Sequence, residues 1–174
     1  MPLILVIGGA RSGKSAWAQT RAESQARTPP GRLLMIATAQ AFDAEMTQRI
    51  ERHRLDRGPA WTTLEAPLNL AETLSDLHTE DVAVVDCLTL WLSNLMLAQI
   101  DLEPAFAALV AAASASPARI ILVTNEVGQG IVPDNALARR FRDEAGRLHQ
   151  RLAAAADQAV MIVAGLPLWL KGAG

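Results

Sequence analysis

Apolar residues gather in strand-length runs at Leu3 to Ile7, Leu33 to Ala37, Val82 to Val85, Ile120 to Thr124 and Ala159 to Val163, and the segments between successive runs are long enough for helices. Short continuous apolar runs alternating with helical stretches predict a parallel sheet buried on both faces. The predicted helices are Lys14 to Gln25, Asp43 to Leu55, Asn69 to Leu77, Leu88 to Gln99, Glu103 to Ala115 and Asn135 to Ala156. Thr28-Pro29-Pro30-Gly31 and Ser116-Pro117 supply helix breakers. Trp61 to Glu65 is rich in β-formers and predicts an added strand near a sheet edge, closed by Pro67. In the longest helix Leu137, Phe141, Leu148 and Leu152 share an apolar face, with Arg139, Arg140, Asp143, Arg147 and Gln150 elsewhere. No repeat, low-complexity tail or dividing linker interrupts the pattern, so residues 1–174 read as a single α/β domain.

Composition narrows the class. The 174 residues are 51% apolar, and 16 Lys plus Arg against 18 Asp plus Glu give a net charge of −2. A duplex-binding protein would carry a basic excess, and a disordered chain would hold fewer apolar residues. The reading is therefore a compact soluble domain with no nucleic-acid partner. Cys87 is the lone cysteine, so neither an internal disulfide nor a thiolate metal cluster is expected, which points to the cytoplasm. Leu3 to Ile7 is too short for a signal-peptide core. The run from Val82 to Ile100 contains Asp86, Ser93, Asn94 and Gln99, and reads as a buried strand plus helix rather than a membrane span. Only Lys14 and Lys171 are lysines, the other 14 basic residues being arginines, so a retained lysine suggests a need for its shape.

Ligands of open parallel sheets sit beyond the carboxyl ends of the strands. The segments to inspect are Gly8 to Ser15, Thr38 to Gln40, Asp86, Asn125 to Gly130, and Gly165. Gly8-Gly9-Ala10-Arg11-Ser12-Gly13-Lys14-Ser15 follows the first strand and opens the first helix, matching the phosphate-loop pattern G-x-x-x-x-G-K-[ST] in its required context. There, backbone N–H groups wrap phosphate oxygens, Lys14 reaches the β and γ phosphates, and Ser15 can ligate Mg²⁺. Asp86 ends a strand, where such proteins place the acid that serves the metal; an ordinary strand-end aspartate is the alternative. Asn125-Glu126-Val127-Gly128 departs from the N-K-x-D guanine reader at both informative positions, which argues against a signalling GTPase.

The stretch from Thr38 to Arg57 adds a second constellation. Arg49, Arg52, Arg54 and Arg57 make a positive patch suited to a polyphosphate. His53 sits beside the inward stripe of the predicted helix. Two readings compete: a half-buried histidine bonded to a carboxylate, or a neutral imidazole nucleophile on phosphorus, flanked by arginines that stabilise phosphoryl oxygens. His78 and His149 lack this setting and read as surface or capping residues.

Taken together, G-G-A-R-S-G-K-S at 8 to 15, A-T-A-x-x-x-D-x-E-M-x-x-R-I-x-x-H from Ala37 to His53, Asp86-Cys87-Leu88-Thr89, the N-E-V-G-x-G-I-V-P segment from Asn125 to Pro133, and Leu137-Ala138-Arg139-x-Phe141-Arg142-Asp143 resemble one family. It is the bifunctional adenosylcobinamide kinase and adenosylcobinamide-phosphate guanylyltransferase of cobalamin biosynthesis, and the resemblance runs from Leu3 to Lys171. It implies a RecA-like P-loop NTPase fold and a homotrimer. It also implies two reactions: phosphorylation of adenosylcobinamide by a nucleoside triphosphate, then transfer of GMP from GTP through a GMP-histidine. ATP and GTP would be the nucleotide substrates, with Mg²⁺ as cofactor.

Carried onto this chain, the covalent histidine is His53. The nucleotide contacts fall on Gly8, Gly9, Ala10, Arg11, Ser12, Gly13, Lys14 and Ser15, on Thr38, Ala39 and Gln40, on Arg54, Leu55, Asp56 and Arg57, and on Glu65 and Asp86. Asp86 has two competing roles, Mg²⁺ or the nucleoside. Glu126 is a candidate kinase base, with loop capping as the rival reading. Gly165 to Lys171 is read as variable. Two further classes remain open at this level: a monofunctional P-loop kinase in which His53 is structural, and a nucleotide-binding module that hydrolyses without an acceptor.

Overall fold

The computed structural model describes residues 3–26, 31–40 and 58–172. Seven strands form one sheet: β1 (Leu3–Gly8), β2 (Arg32–Ala37), β3 (Trp61–Glu65), β4 (Asp81–Asp86), β5 (Arg119–Asn125), β6 (Gln158–Val163) and β7 (Leu166–Lys171). Their order is β3-β2-β4-β5-β1-β6-β7, parallel throughout except for the β6–β7 pair. The helices are α1 (Lys14–Gln25), α2 (Leu70–Ser75), α3 (Leu88–Leu97), α4 (Leu102–Ala115) and α5 (Ala136–Ala155). The predicted helix from Asp43 to Leu55 lies outside the described residues. No helix among them is long and apolar enough to cross a membrane.

Period-two alternation divides the core. Along the fully buried β1, Leu3, Leu5 and Ile7 face the cluster that also holds Trp91, Phe106, Leu109 and Leu148, while Ile4 and Val6 join Ala18 and Ala22 of α1 on the other face. Two helices begin with side-chain caps: Asp101 accepts the N–H of Glu103, and Asn135 accepts those of Leu137 and Ala138. Lys171 bonds the carbonyls of Ala153 and Ala154 at the last turn of α5, so the second lysine of the chain also has a positional role.

One segment gains a place and one expectation needs correction. Residues 166–171, read as variable, form an antiparallel edge strand that closes a hairpin with β6. Leu137, placed on the apolar face of its helix, is 54% exposed, on the open groove it lines with Ser93, Met96 and Leu97 of α3.

A buried aspartate paired with a half-exposed arginine anchors the amino end of the sheet, away from the strand-end site. The Asp81 carboxylate, fully buried, accepts Arg32 Nε at 2.6 Å and Nη2 at 2.9 Å, together with the His78 N–H at 2.8 Å. Burial pushes the carboxyl pKa up, but the Arg32 hydrogen bond and the His78 N–H outweigh it and hold the group below its ordinary value. A depressed folded pKa stabilises the protein above the unfolded value near 4, and that stability is lost as pH falls through the folded pKa. Asp81→Ala is expected to cost about 2 kcal/mol at pH 7. Urea unfolding at pH 7 and below pH 4 should show the gap between variant and wild type narrowing in acid.

Candidate active site

The sheet register brings the predicted segments to one end. Ala37 pairs with both Glu65 and Asp86, Asp86 pairs with Val123, and Gly8 pairs with Asn125 and Ile162, so the carboxyl ends of six parallel strands form a single rim.

At its centre β1 delivers Gly8 into the phosphate loop. A Cβ on Gly8 would lie 2.5 Å from Ser12 Oγ and 2.8 Å from the Ile162 carbonyl oxygen, so a side chain there would displace the loop. Gly13 caps α1 at φ +93°, a conformation natural only to glycine, and offers no side-chain cap. The first N–H groups of α1 are thereby left for an external acceptor, with the positive end of the helix dipole behind them. Lys14 is 8% exposed and folds back so that Nζ donates to the Gly9 carbonyl at 3.0 Å. Ser12 Oγ is buried with no partner among the described residues, as expected of a group built to meet a ligand.

Asp86 stands two strands from β1, about 10 Å across the sheet at a spacing near 4.8 Å. Among the described residues no three His, Cys, Asp or Glu groups converge on a metal-sized site. The Ser15 hydroxyl and one Asp86 carboxylate nevertheless fit Mg²⁺, which takes few protein ligands and completes its octahedron with water and phosphate oxygens.

A polar network locks the rim beside Asp86. Thr38 Oγ1 donates to the Cys87 carbonyl at 2.7 Å and accepts the Cys87 N–H at 3.0 Å. Asn94 Nδ2, from within the apolar α3, donates to the carbonyls of Thr38 and Pro67 at 2.8 and 3.0 Å. Asn125 Nδ2 donates to Thr89 Oγ1 at 2.7 Å, and Thr89 Oγ1 lies 3.0 Å from Cys87 Sγ. This network ties the ends of β2, β4 and β5 together, holding Thr38 against the residue that follows Asp86. Burial, then the Asp86 charge, pushes the Cys87 thiol pKa up, so Cys87 serves as a neutral spacer rather than a nucleophile.

The structure thus gathers Gly8 to Ser15 and Asp86 near one another and sets residues 38–40 on the same rim. The Thr38 hydroxyl is wholly buried and spent on Cys87, leaving Ala39 and Gln40 as the partly exposed members of that segment. Glu65 is exposed on the edge strand, four strands or about 19 Å from β1. His53, Arg54, Leu55, Asp56 and Arg57 lie outside the described residues. Glu126 caps its own loop, its Oε1 accepting the Gly128 N–H at 2.5 Å, while its N–H donates to the Gly8 carbonyl at 3.0 Å.

Sequence reasoning missed Thr89 and Asn94, although polar residues inside the apolar stretch from 82 to 100 were the available signal. It also misplaced His149. This residue is buried, its Nε2 lying 2.8 Å from Thr124 Oγ1 on β5, neither at the surface nor capping a helix. Burial lowers the His149 pKa against a smaller opposing pull from Glu126. The unfolded chain therefore takes up a proton as pH falls below about 6.5 while the folded chain resists it, and stability drops through that range. Denaturant titrations from pH 7.5 to 5.5 should show wild-type stability falling by up to about 1.4 kcal/mol per unit below pH 6.5. His149→Gln should remove that component of the slope.

The sequence matches the model of the CobU family, cobinamide kinase / cobinamide phosphate guanyltransferase, over residues 4–170. The chain belongs to this family. It is 47% identical over 171 residues to the bifunctional adenosylcobalamin biosynthesis protein CobP of Pseudomonas aeruginosa, covering 97% of this chain and 96% of that protein. It is 42% identical to the protein of the same description, CobU, from Salmonella typhimurium, covering 97% and 99%. Among solved structures, the flagellar accessory protein FlaH of Methanocaldococcus jannaschii superposes with a TM-score of 0.54 at 14% identity, over 98% of this chain and 78% of that one. The P4 protein of bacteriophage phi6, solved with ADP, gives 0.51 at 11% identity, over 96% and 54%. These two likenesses concern the fold alone. For this CobU-family chain the expected RecA-like P-loop architecture agrees with the observed sheet.

Proposed function

We propose that the protein phosphorylates adenosylcobinamide and then converts the phosphate to adenosylcobinamide-GDP. The observation that carries the reading is the Gly8 to Ser15 loop, closed by Lys14 and set in a chain that matches the family almost end to end.

In the first reaction the aminopropanol hydroxyl oxygen attacks the γ phosphorus of a nucleoside triphosphate, ATP or GTP. The bond to the β-bridging oxygen breaks, the diphosphate leaves, and the hydroxyl proton is released. The loop N–H groups and Lys14 hold and neutralise the β and γ oxygens as charge develops on them. In the second reaction an imidazole nitrogen of His53 attacks the α phosphorus of GTP and the bond to the α,β-bridging oxygen breaks, expelling pyrophosphate. An oxygen of the corrinoid phosphate then attacks the same phosphorus, breaking the P–N bond and returning free imidazole. Arg54 and Arg57 hold phosphates at this stage. Mg²⁺, when bound, would be held by Ser15 and Asp86 and would supply positive charge beside the phosphates. That assignment places Asp86 with the metal rather than the nucleoside.

The reading extends to a single nucleotide-binding domain over residues 1–174, a homotrimer and a cytoplasmic location, the last supported by one buried free cysteine. The test is product analysis with adenosylcobinamide, MgATP and MgGTP. Adenosylcobinamide phosphate should form first, then the GDP derivative with one pyrophosphate per turnover. Arrest at the phosphate would indicate a plain kinase, and nucleotide hydrolysis indifferent to the corrinoid would indicate a module without an acceptor.

A further inference from the structure

The β6–β7 hairpin, of which the sequence singled out only Gly165 as a strand-end position, lies at the carboxyl end of β6 and meets the phosphate loop beside Gly8, Ser12 and Gly13. Val163 pairs with Leu166, so its turn consists of Ala164 and Gly165 alone, at φ 51° and 81°. Two consecutive residues at positive φ are the signature of a type I′ turn, whose twist matches that of the strands it joins. The Gly165 N–H donates to the Ser12 carbonyl at 2.8 Å, and a Cβ on Gly13 would lie 3.3 Å from Gly165 Cα. At one end of the loop, the Ile162 carbonyl closes the space beside Gly8. At the other, Trp169 of β7 meets Trp17 of α1 edge-on, with centroids 5.8 Å apart and planes at 70°.

From this geometry we infer that Gly165 is a positioning residue for triphosphate binding, aiming the Gly13 amide at the phosphate. The Ser12 carbonyl and the Gly13 N–H belong to one trans peptide plane and point in opposite directions. Holding the carbonyl on the hairpin turns the N–H away from it, and that N–H has no acceptor among the described residues. A flexible glycine-rich loop would otherwise have to fix this peptide when nucleotide binds, at an entropic cost that the hairpin removes beforehand. The inference rests on the phosphate-binding reading of residues 8–15.

Substitution at Gly165 can disturb the turn without a steric clash, since a Cβ there meets nothing within 4 Å and the strain is one of backbone angle only. Binding of ATP, GTP and inorganic tripolyphosphate, each with Mg²⁺, is measured by calorimetry on the full chain at a temperature where every variant is folded. Gly165→Val, β-branched at positive φ, is expected to weaken all three ligands about tenfold, and Gly165→Ala about threefold. Gly165→Asn, which tolerates this conformation, should recover most of the loss. If Gly165→Val does not fold, the Ala and Asn variants decide. A hairpin of merely structural importance would lower the melting temperature in the Val and Ala variants and leave the three affinities within twofold of wild type, which overturns the inference. Lys14→Ala separates the two levels: weakened binding there with unchanged binding in the Gly165 variants refutes the hairpin's role alone. Failure of wild type to bind any of the three ligands refutes the phosphate-loop reading and this inference with it.

Discussion

Lys14→Ala is expected to lower kcat/KM of the kinase reaction about a thousandfold, equivalent to about 4 kcal/mol of transition-state stabilisation. The lysine is held at the mouth of α1 with its ammonium 3.0 Å from the Gly9 carbonyl, so its charge is already in place before the γ phosphoryl group moves. In the loose transition state of phosphoryl transfer the protein contributes position and charge rather than covalent chemistry, and a charge removed here has no replacement. The fold should tolerate the change. Among the described residues Nζ bonds only a loop carbonyl, and taking away a nearly buried charge removes a desolvation cost as well as a contact. Steady-state kinetics with a parallel thermal melt would check this: a thousandfold loss with an unshifted melt is the expected pair. Lys14→Arg should not restore activity, because a planar guanidinium cannot follow the path of a flexible ammonium through so tight a loop.

His53→Ala carries the second large effect. Guanylyl transfer through a covalent intermediate requires a nucleophile, and a neutral imidazole is the group in this chain best suited to form a bond to phosphorus and later release it. The variant should lose formation of the GDP derivative and keep phosphorylation of the corrinoid, since the kinase reaction uses the loop and Lys14 instead. Arg54→Ala and Arg57→Ala would be graded versions of the same experiment, weakening the hold on phosphate without removing the nucleophile.

How far the sequence revealed this arrangement depended on whether each signal was local. Strands β1, β4 and β5 are apolar almost throughout because both of their faces are covered, and that is legible as a run. The phosphate loop was legible because its glycines, lysine and serine are consecutive. β7 was not, because Leu166-Pro167-Leu168-Trp169-Leu170 lacks polar alternation and carries a proline, which only an edge strand accepts. Its exposed Leu166, Leu168 and Leu170 suggest no inward face, and only Trp169, half-buried against Trp17, betrays one.

The remaining gaps come from partners far apart in sequence. Asp81 and Arg32 meet across 49 positions, as do Thr38 and Cys87, and His149 reaches Thr124 from a different element. His149 was read as a surface or capping residue for want of an arginine cluster or a strand end beside it, yet with Ala145, Leu148 and Leu152 it completes the i, i+3, i+4, i+7 stripe that α5 buries. Such pairings are fixed by strand order, which no local pattern records. The site at the strand ends was therefore readable in position, while the network that rigidifies it was not.

The account's central claim is a GMP group carried on His53 between two partial reactions. The most direct measurement incubates the protein with Mg²⁺ and GTP labelled at either the α or the γ phosphorus, denatures it, and counts protein-bound label in wild type and His53→Ala. The account predicts acid-labile label from the α position alone, present in wild type and absent from the variant. Label that persists in His53→Ala, or that derives from the γ position, would contradict it.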